Sequence, residues 1–398
     1  MATSRNPSKR LPPAAGWNDS CNPPLSAGRP IAGESPFTPG PVIADPATLR
    51  EQTMERIPDC PICGTKTHPL YSDLEDGLYG VPGRYHFSRC PSCRLIRLDN
   101  LPDEKSLYSH YENYYTRTAA AEAPEDPHHR RFGRLRDSLR TAILCGRFGY
   151  RDGHRRHGLC RLGLLMSMVP VLRSRAVYDG LRESFPAFPN RTDNLLIDVG
   201  CGRGDFLARM KSLGWSVLGI EPDPVSSELA RRRGIPVFSG RLEEAGLADG
   251  IADQVSLNHV LEHADDPAGL LKECRRVLRP GGRLVIYTPN AESLGHRWFR
   301  QAWRGLEPPR HLFIFSPKAL RRMLEAAPFR SIRMKTPWTL AGGIYDDSVR
   351  IQRDGRAPLY DGKPERGRTL FRGVEQLLCL AGRNRGEEIE VVACREAN

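Results

Sequence analysis

The sequence predicts an open α/β fold, with helices on both faces of a doubly wound sheet, preceded by a small four-cysteine module. Three observations predict this arrangement. A short apolar run at residues 195–197 enters a glycine-rich turn at residues 198–204. A second apolar run at residues 215–220 ends in Glu221, and the helical pattern between the two runs indicates a strand–helix–strand unit. Upstream, two C-x-x-C pairs are separated by 26 residues, a spacing typical of small metal-binding modules.

The glycine-rich turn has the pattern D-x-G-x-G-x-G and predicts a nucleotide-cofactor site. Glycine accepts a positive φ and lets the backbone approach a ligand with no Cβ in the way. Many strand-to-helix turns need glycine only to fit, and the turn alone leaves that alternative open. Asp198 favours a positively charged ligand, because phosphate binds at a helix N-terminus that is free of carboxylates. S-adenosylmethionine has a sulfonium, an amino group and no phosphate, and Glu221 stands at an offset that suits its ribose diol.

Motifs beyond the turn resemble those of a known family. Residues 253–258 are a predicted strand that enters the element H-V-L-E-H at residues 259–263. A predicted helix at residues 270–278 is stopped by R-P-G-G, and the next buried strand follows. With the run L-R-P-G-G-R-L-V-I-Y-T-P-N, the chain resembles the class I S-adenosylmethionine-dependent methyltransferases over roughly residues 195–330, with a last strand at residues 389–394.

The resemblance implies a Rossmann-like methyltransferase sheet, an S-adenosylmethionine cofactor and a set of cofactor-binding positions. These positions are Asp198, Gly200, Cys201, Gly202, Gly204, Glu221, Leu242 and Asn258. One position departs from the family pattern, because Arg241 stands where family members often place the acid that receives the adenine amino group. We therefore expect adenine to lie on Leu242, with Glu243 as the remaining candidate acceptor. The property that this change from an acid to arginine affects is the affinity for the cofactor.

The two C-x-x-C pairs, Cys60 with Cys63 and Cys90 with Cys93, predict a zinc ribbon. Four thiolates at this spacing can close a tetrahedral site between two hairpins. Paired disulfides and a redox motif are the alternatives. Eleven cysteines in a long chain without a secretory signal argue against an oxidised framework, and a redox C-x-x-C does not come as a pair. A closed four-cysteine shell leaves no position for catalytic water, so the predicted zinc is structural.

Three histidines are candidates for the chemistry. Methyl transfer needs an aligned nucleophile and a group that takes up one proton, and histidine titrates close to neutrality. We expect His311, in a loop after the fifth strand, to act as general base or substrate ligand and His263 to reach the substrate; structural roles are the alternatives. A helix through H-V-L-E-H would place His259 and His263 on one face, where His259 is expected to be structural or to line the cofactor. Metal binding is not expected there, because H-x-x-E-H lacks a third ligand.

Composition divides the chain into four segments. Residues 1–55, rich in proline, glycine and serine, are predicted to be disordered. Residues 56–120 hold the zinc ribbon, residues 121–190 a basic helical linker and residues 191–398 the cofactor domain. Residues 130–172 combine many arginines with an apolar stretch too short to span a bilayer. A helix packed on the core, peripheral contact with an anionic membrane and nucleic-acid contact are all open for this part.

A net charge of +12 at pH 7 allows anionic partners, including a phosphorylated or nucleotide-linked acceptor. A nucleic-acid partner is not expected, since the sequence lacks the aromatic and basic interleaving of RNA-binding modules. The resemblance implies a small-molecule acceptor, such as a hydroxyl or carbon of a sugar or related metabolite. An RNA methyltransferase and a non-catalytic scaffold protein are the alternatives. The N-terminus lacks the apolar stretch of a signal peptide, so we expect a cytoplasmic protein.

Overall fold

A computed structural model describes residues 59–100, 138, 142–147, 149–150, 157–168, 194–357 and 364–397. The predicted disordered segment at residues 1–55 and most of the predicted basic linker at residues 121–190 lie outside these ranges. Within these ranges, no helix is long and apolar enough to cross a membrane.

The described residues contain two sheets. The smaller one is antiparallel and has the strands β1 (His68–Leu74), β2 (Tyr85–Arg89), β3 (Ile96–Leu98) and β9 (Phe313–Ile314), in that order. The larger one has the strands β4 (Leu195–Val199), β5 (Ser216–Ile220), β6 (Val237–Phe238), β7 (Ala252–Asn258), β8 (Leu278–Pro289), β10 (Arg330–Lys335) and β11 (Glu388–Cys394). Its order is β10-β11-β8-β7-β4-β5-β6. Strands β4 to β8 are parallel, and β11 is antiparallel to both of its neighbours.

The order in which successive strands are added to the larger sheet reverses at β4. Strands β5 and β6 extend it to one side, whereas β7 and β8 extend it to the other. Such a reversal leaves a crevice outside the carboxyl ends of the two strands at the switch, and ligands of open α/β sheets bind there. The glycine-rich turn follows β4, and H-V-L-E-H follows β7. The predicted doubly wound α/β sheet is therefore confirmed, and its switch point carries the predicted motifs.

Besides a helical segment at residues 142–147, the following helices accompany the strands: α1 (His157–Ser167), α2 (Asp205–Ser212), α3 (Pro224–Arg232), α4 (Pro267–Val277), α5 (Leu294–Phe299), α6 (Pro317–Ala326), α7 (Ala341–Asp354) and α8 (Arg368–Leu380). Helices α3, α4 and α6 each begin with proline after a capping residue, respectively Asp223, Asp266 and Ser316. Each cap accepts a hydrogen bond from an amide of the first turn, and proline at the first position has no amide to satisfy. Helix α2 lies between the two apolar runs, where the helical pattern predicts it, while α4 begins at Pro267 rather than at residue 270 because Asp266 caps it.

The ribbon, defined as residues 59–100, is joined to the cofactor domain by main-chain pairing. Strand β3 pairs with β9, which lies far downstream in sequence, and the Leu98 amide donates to the Leu312 carbonyl at 3.0 Å. Ile96, Leu98 and Ile314 are fully buried in the same core as the larger sheet. The sheet of the ribbon therefore ends on a strand of the cofactor domain.

Helix α1 presents apolar side chains to solvent. Leu162, Leu165 and Met168 are 50%, 64% and 73% exposed. The predicted packing of this stretch on the core is not seen at these three positions, and peripheral membrane contact through residues 130–172 stays a prediction. Cys145, in the neighbouring helical segment, is disulfide-bonded, whereas every other cysteine whose side chain is described is a free thiol.

Candidate active site and metal centre

The glycine-rich turn has the backbone that its sequence predicts. Gly200, Gly202 and Gly204 have φ of 68°, 54° and 79°, the left-handed region that side chains with a Cβ disfavour. A Cβ on Gly200 would lie 2.5 Å from Cγ2 of Val260, which belongs to the segment after β7. Glycine at this position therefore lets the two segments at the switch point approach each other.

The amides of this turn are satisfied within the chain. Those of Gly200 and Cys201 donate to the Ile220 carbonyl at 2.8 and 3.2 Å, and that of Gly202 donates to Oε2 of Glu221 at 2.8 Å. The Gly204 amide donates to the Cys201 carbonyl at 3.0 Å. A phosphate-binding turn needs such amides directed at the ligand. These four amides are not available for one.

Two buried acids flank the turn, Asp198 at the end of β4 and Glu221 after β5. Asp198 accepts a 2.6 Å hydrogen bond from Ser256, and Glu221 accepts from the amides of Gly202 and Asp223. The pKa of Asp198 is raised to about 7, chiefly by burial; the hydrogen bond from Ser256 opposes this rise and the charge of Glu221 adds to it. Burial also raises the pKa of Glu221. Two carboxylates that are costly to ionise would be stabilised by a cationic ligand.

The expected adenine side is occupied by a hydrophobic residue and an ion pair. Leu242 is buried, and Glu243 is exposed. Arg241, which replaces the acid of the family pattern, forms a 2.9 Å salt bridge with Asp265 in the segment before α4. Asn258, the last residue of β7, is exposed at the carboxyl edge of the sheet. Arg241 thus links the two loops on either side of this edge.

No helix places His259 and His263 on one face. His259 has φ 55°, and only a short 3₁₀ turn at Leu261–His263 follows. The His259 ring lies between two buried acids, with Nδ1 3.0 Å from Glu262 and Nε2 2.7 Å from Glu388. Burial alone would lower the pKa of His259, but the hydrogen bonds to these two acids raise it to about 9. His259 is therefore an imidazolium held by two carboxylates.

The two predicted catalytic histidines lie side by side. The His263 and His311 rings are 4.8 Å apart, although 48 positions separate them in the sequence. Nδ1 of His263 is 2.8 Å from the Arg310 carbonyl, and Nδ1 of His311 is 2.8 Å from the Gly305 carbonyl. His311 is 3% exposed, and this burial lowers its pKa to about 4. Together with Glu262 the two imidazoles form a group, here named the histidine cluster, whose ligand atoms all lie within 4.8 Å of one another.

A buried ion network holds the loop that carries His311. Arg310, fully buried, donates to both carboxylate oxygens of Asp76 at 3.0 Å and to Glu307 at 3.0 Å, and its guanidinium lies 4.1 Å from the Tyr79 ring centre. Asp76 belongs to the turn between β1 and β2 of the ribbon. The ribbon therefore fixes the position of the loop beside His311.

The four predicted zinc ligands converge in the ribbon. Sγ of Cys60 lies 3.5 Å from that of Cys93, and Sγ of Cys63 lies 3.4 Å from that of Cys90. The two C-x-x-C turns share one backbone pattern. In each turn, the carbonyl of the first cysteine accepts a hydrogen bond from the amide of the residue after the second cysteine, and the amide of the first cysteine donates to the carbonyl two residues after the second. Tetrahedral zinc with Zn–S bonds of about 2.3 Å separates its sulfurs by about 3.8 Å. The cluster is compatible with a zinc ribbon.

A comparison with protein families finds a match to part of the chain. Residues 172–333 match a family model described as a methyltransferase domain. This part of the chain is therefore similar to a methyltransferase domain. The matched region includes the glycine-rich turn, both acids and the histidine cluster.

Curated relatives match parts of the chain. The ubiquinone biosynthesis O-methyltransferase of Schizosaccharomyces pombe is 34% identical over 129 residues, which are 30% of this chain and 42% of the relative. The malonyl-[acyl-carrier protein] O-methyltransferase of Hahella chejuensis is 27% identical over 165 residues, 40% of this chain and 58% of the relative. A solved methyltransferase of Archaeoglobus fulgidus is 19% identical, covers 58% of this chain and 93% of that chain, and has a TM-score of 0.37. The chain spans about half the length of the two curated relatives.

Sequence reasoning missed two buried acids that hold residues of the candidate site. Glu388 reaches His259 from the first residue of β11, and Asp76 reaches Arg310 from the ribbon. Glu388 is followed by an apolar strand and could have been noticed as an acid at a strand start. Asp76 has no comparable signal, because its partner is 234 positions away.

Proposed function

We propose that this protein transfers the methyl group of S-adenosylmethionine to a small-molecule acceptor. One observation carries the proposal: buried Asp198 and Glu221 flank a glycine turn in which the amides of residues 200, 201, 202 and 204 are engaged within the chain. Such a site suits a cationic, phosphate-free nucleotide derivative and disfavours a dinucleotide. The S-adenosylmethionine sulfonium and amino group match the charge of the two acids.

In this proposal, S-adenosylmethionine contacts the residues that the sequence predicts as cofactor-binding. Glu221 receives the ribose hydroxyls, since each carboxylate oxygen can accept more than the single amide bond it has. Leu242 supports the adenine, and Asp198 faces the positively charged methionine part. The remaining contacts come from the turn and from the end of β7, namely Gly200, Cys201, Gly202, Gly204 and Asn258.

His263 and His311 form the acceptor side of the proposed site. In the reaction, an acceptor lone pair forms a bond to the methyl carbon while the carbon–sulfur bond breaks. The bonding pair stays on sulfur, which becomes the neutral thioether of S-adenosylhomocysteine. The acceptor also loses one proton, and a nearby imidazole can hold the acceptor or take up that proton. Neutral His311 is in the protonation state that this requires.

The proposed acceptor is a hydroxyl or carbon of a sugar or related metabolite, and it can be anionic because the chain carries a net charge of +12. The two curated relatives are named as O-methyltransferases, which makes an oxygen acceptor the first to assay. We also propose that Cys60, Cys63, Cys90 and Cys93 hold one structural zinc ion. The sulfur distances support this, because they need to open only by a few tenths of an ångström around the metal.

A labelled-donor assay tests the function. The purified protein is incubated with methyl-labelled S-adenosylmethionine and, separately, with sugar nucleotides, small hydroxylated metabolites, lipids and total RNA. We expect label in a small-molecule pool and none with the Asp198→Ala variant. Label in RNA alone would assign a nucleic-acid substrate. No label in any pool, with S-adenosylmethionine bound in calorimetry, would favour the non-catalytic scaffold.

A further inference from the structure

We propose that the histidine cluster, Glu262 with His263 and His311, is a second metal site that binds a divalent cation of the zinc class. Two imidazoles and one carboxylate are ligands that Zn²⁺ binds together in proteins. The role of this cation, holding an acceptor oxygen, rests on the proposed function. Binding of the cation does not.

The carboxylate of Glu262 supplies the first argument. Its side chain is fully buried, and Oε1 is 3.0 Å from Nδ1 of His259. Oε2 is also buried and has no hydrogen-bond partner within the described ranges. A buried carboxylate oxygen without a partner is costly, so a group outside the protein chain is expected to meet it. The two imidazoles of the cluster are the side chains grouped with this carboxylate.

The orientation of the two imidazoles supplies the second argument. Nδ1 of each ring faces a main-chain carbonyl, which can only accept, so Nδ1 carries the proton. In the neutral ring Nε2 then bears the lone pair, which is the form that binds a metal. Metal-binding histidines almost always donate their other ring nitrogen in this way. Nε2 of His311 lies 3.8 Å from Glu307, which is beyond hydrogen-bond distance.

The setting of the cluster indicates what the cation could do. Glu262 and His311 are buried, whereas His263 is half-buried, so the cluster meets solvent on the His263 side. The cluster follows β7 at the switch point of the sheet, where the acceptor is proposed to bind. Three protein ligands leave a fourth position of a tetrahedral zinc ion open. The four-cysteine site has no such position, so the two metal sites would differ in kind.

Metal titration of the whole protein tests the inference. Protein with zinc in the four-cysteine site is titrated with Zn²⁺ and, separately, with Co²⁺, by calorimetry and absorption spectroscopy. We expect one further equivalent to bind, and the added Co²⁺ to give a spectrum without a thiolate charge-transfer band. His311→Gln and His263→Gln should each weaken this second site by about 100-fold or more, the upper range seen even for supporting residues of metal sites.

His296→Gln is the matched control. His296 is also buried and its Nδ1 is 2.7 Å from a main-chain carbonyl, but it is not in the cluster. It should keep the second equivalent. Absence of that equivalent in the parent, or its retention in either folded variant of the cluster, would overturn the inference. If His311→Gln fails to fold, His263→Gln at its half-buried position decides. The metal titration contains no methyl donor and no methyl acceptor, so its result does not depend on the outcome of the methyl-transfer assay.

Discussion

The most direct prediction concerns the ion pair between the ribbon and the loop beside His311. Asp76 accepts three amide hydrogen bonds, from Leu78, Tyr79 and Val81, and two from Arg310. Asp76→Asn keeps the shape of the side chain, removes its charge and turns an amide group towards these donors. Breaking a buried ion pair costs about 3–5 kcal/mol, because one charge is left uncompensated. Glu307 still contacts Arg310, so we expect about 3 kcal/mol.

The control is the neighbouring residue. Glu75 forms a 2.9 Å salt bridge with Arg84, and both side chains are more than 60% exposed. An exposed pair contributes about 0–1 kcal/mol, so Glu75→Gln should change the free energy of unfolding little. Urea unfolding of both variants measures the difference. Hydrogen exchange should report the loop, since the amides of Arg310 and His311 both donate to the Glu307 carbonyl. Equal unfolding free energies for the two variants would refute the reasoning.

Three further predictions concern the cofactor and the zinc. The folded-state pKa of Asp198, about 7, lies above its ordinary value of 3.8, so the cofactor-free protein should lose stability as the pH rises between these values. S-adenosylmethionine should bind the ionised acid better, so its affinity should rise by up to about tenfold per pH unit below pH 7 and then level off; an affinity independent of pH would contradict this. Glu221→Ala should weaken cofactor binding in calorimetry by about 1.5–3 kcal/mol. Glu228→Ala, at an exposed position of α3, should not weaken it. Unchanged affinity in Glu221→Ala would remove the ribose assignment. Cys63→Ser should lose the ribbon zinc in metal analysis and lower the melting temperature, while Cys394→Ser on β11 should do neither, and a Cys63→Ser protein that keeps its zinc would reject the site.

The parts of the fold that the sequence predicted are those whose contacts are local. The segment from β4 through α2 to β5 carries its own signals, namely two apolar runs, three glycines and an acid at a fixed offset. Asp266 and Pro267, the cap and the first residue of α4, are adjacent and likewise mark where this helix begins. These elements could be predicted because the residues that cause them lie within one or two turns of each other.

The contacts that organise the methyltransferase site are not local. His259 was expected to be structural or to line the cofactor, but no pattern indicated that its ring meets Glu388, 129 positions away. The third member of the histidine cluster, His311, comes from a loop that the ribbon holds through Asp76. Such pairings depend on how the two sheets pack, which no short pattern records. The clustering of the four cysteines was predictable because their spacing repeats within a single ribbon.

Strand β9 determines how this protein can be dissected. A truncation at the start of the matched region, residue 172, would keep the proposed cofactor and acceptor residues but remove β1, β2 and β3. Phe313 and Ile314 would then form an apolar edge with unpaired main-chain groups, a template for aggregation between copies. Arg310 would lose Asp76 at the same time. Fragments intended for expression therefore need to retain the ribbon, even where only methyl transfer is of interest.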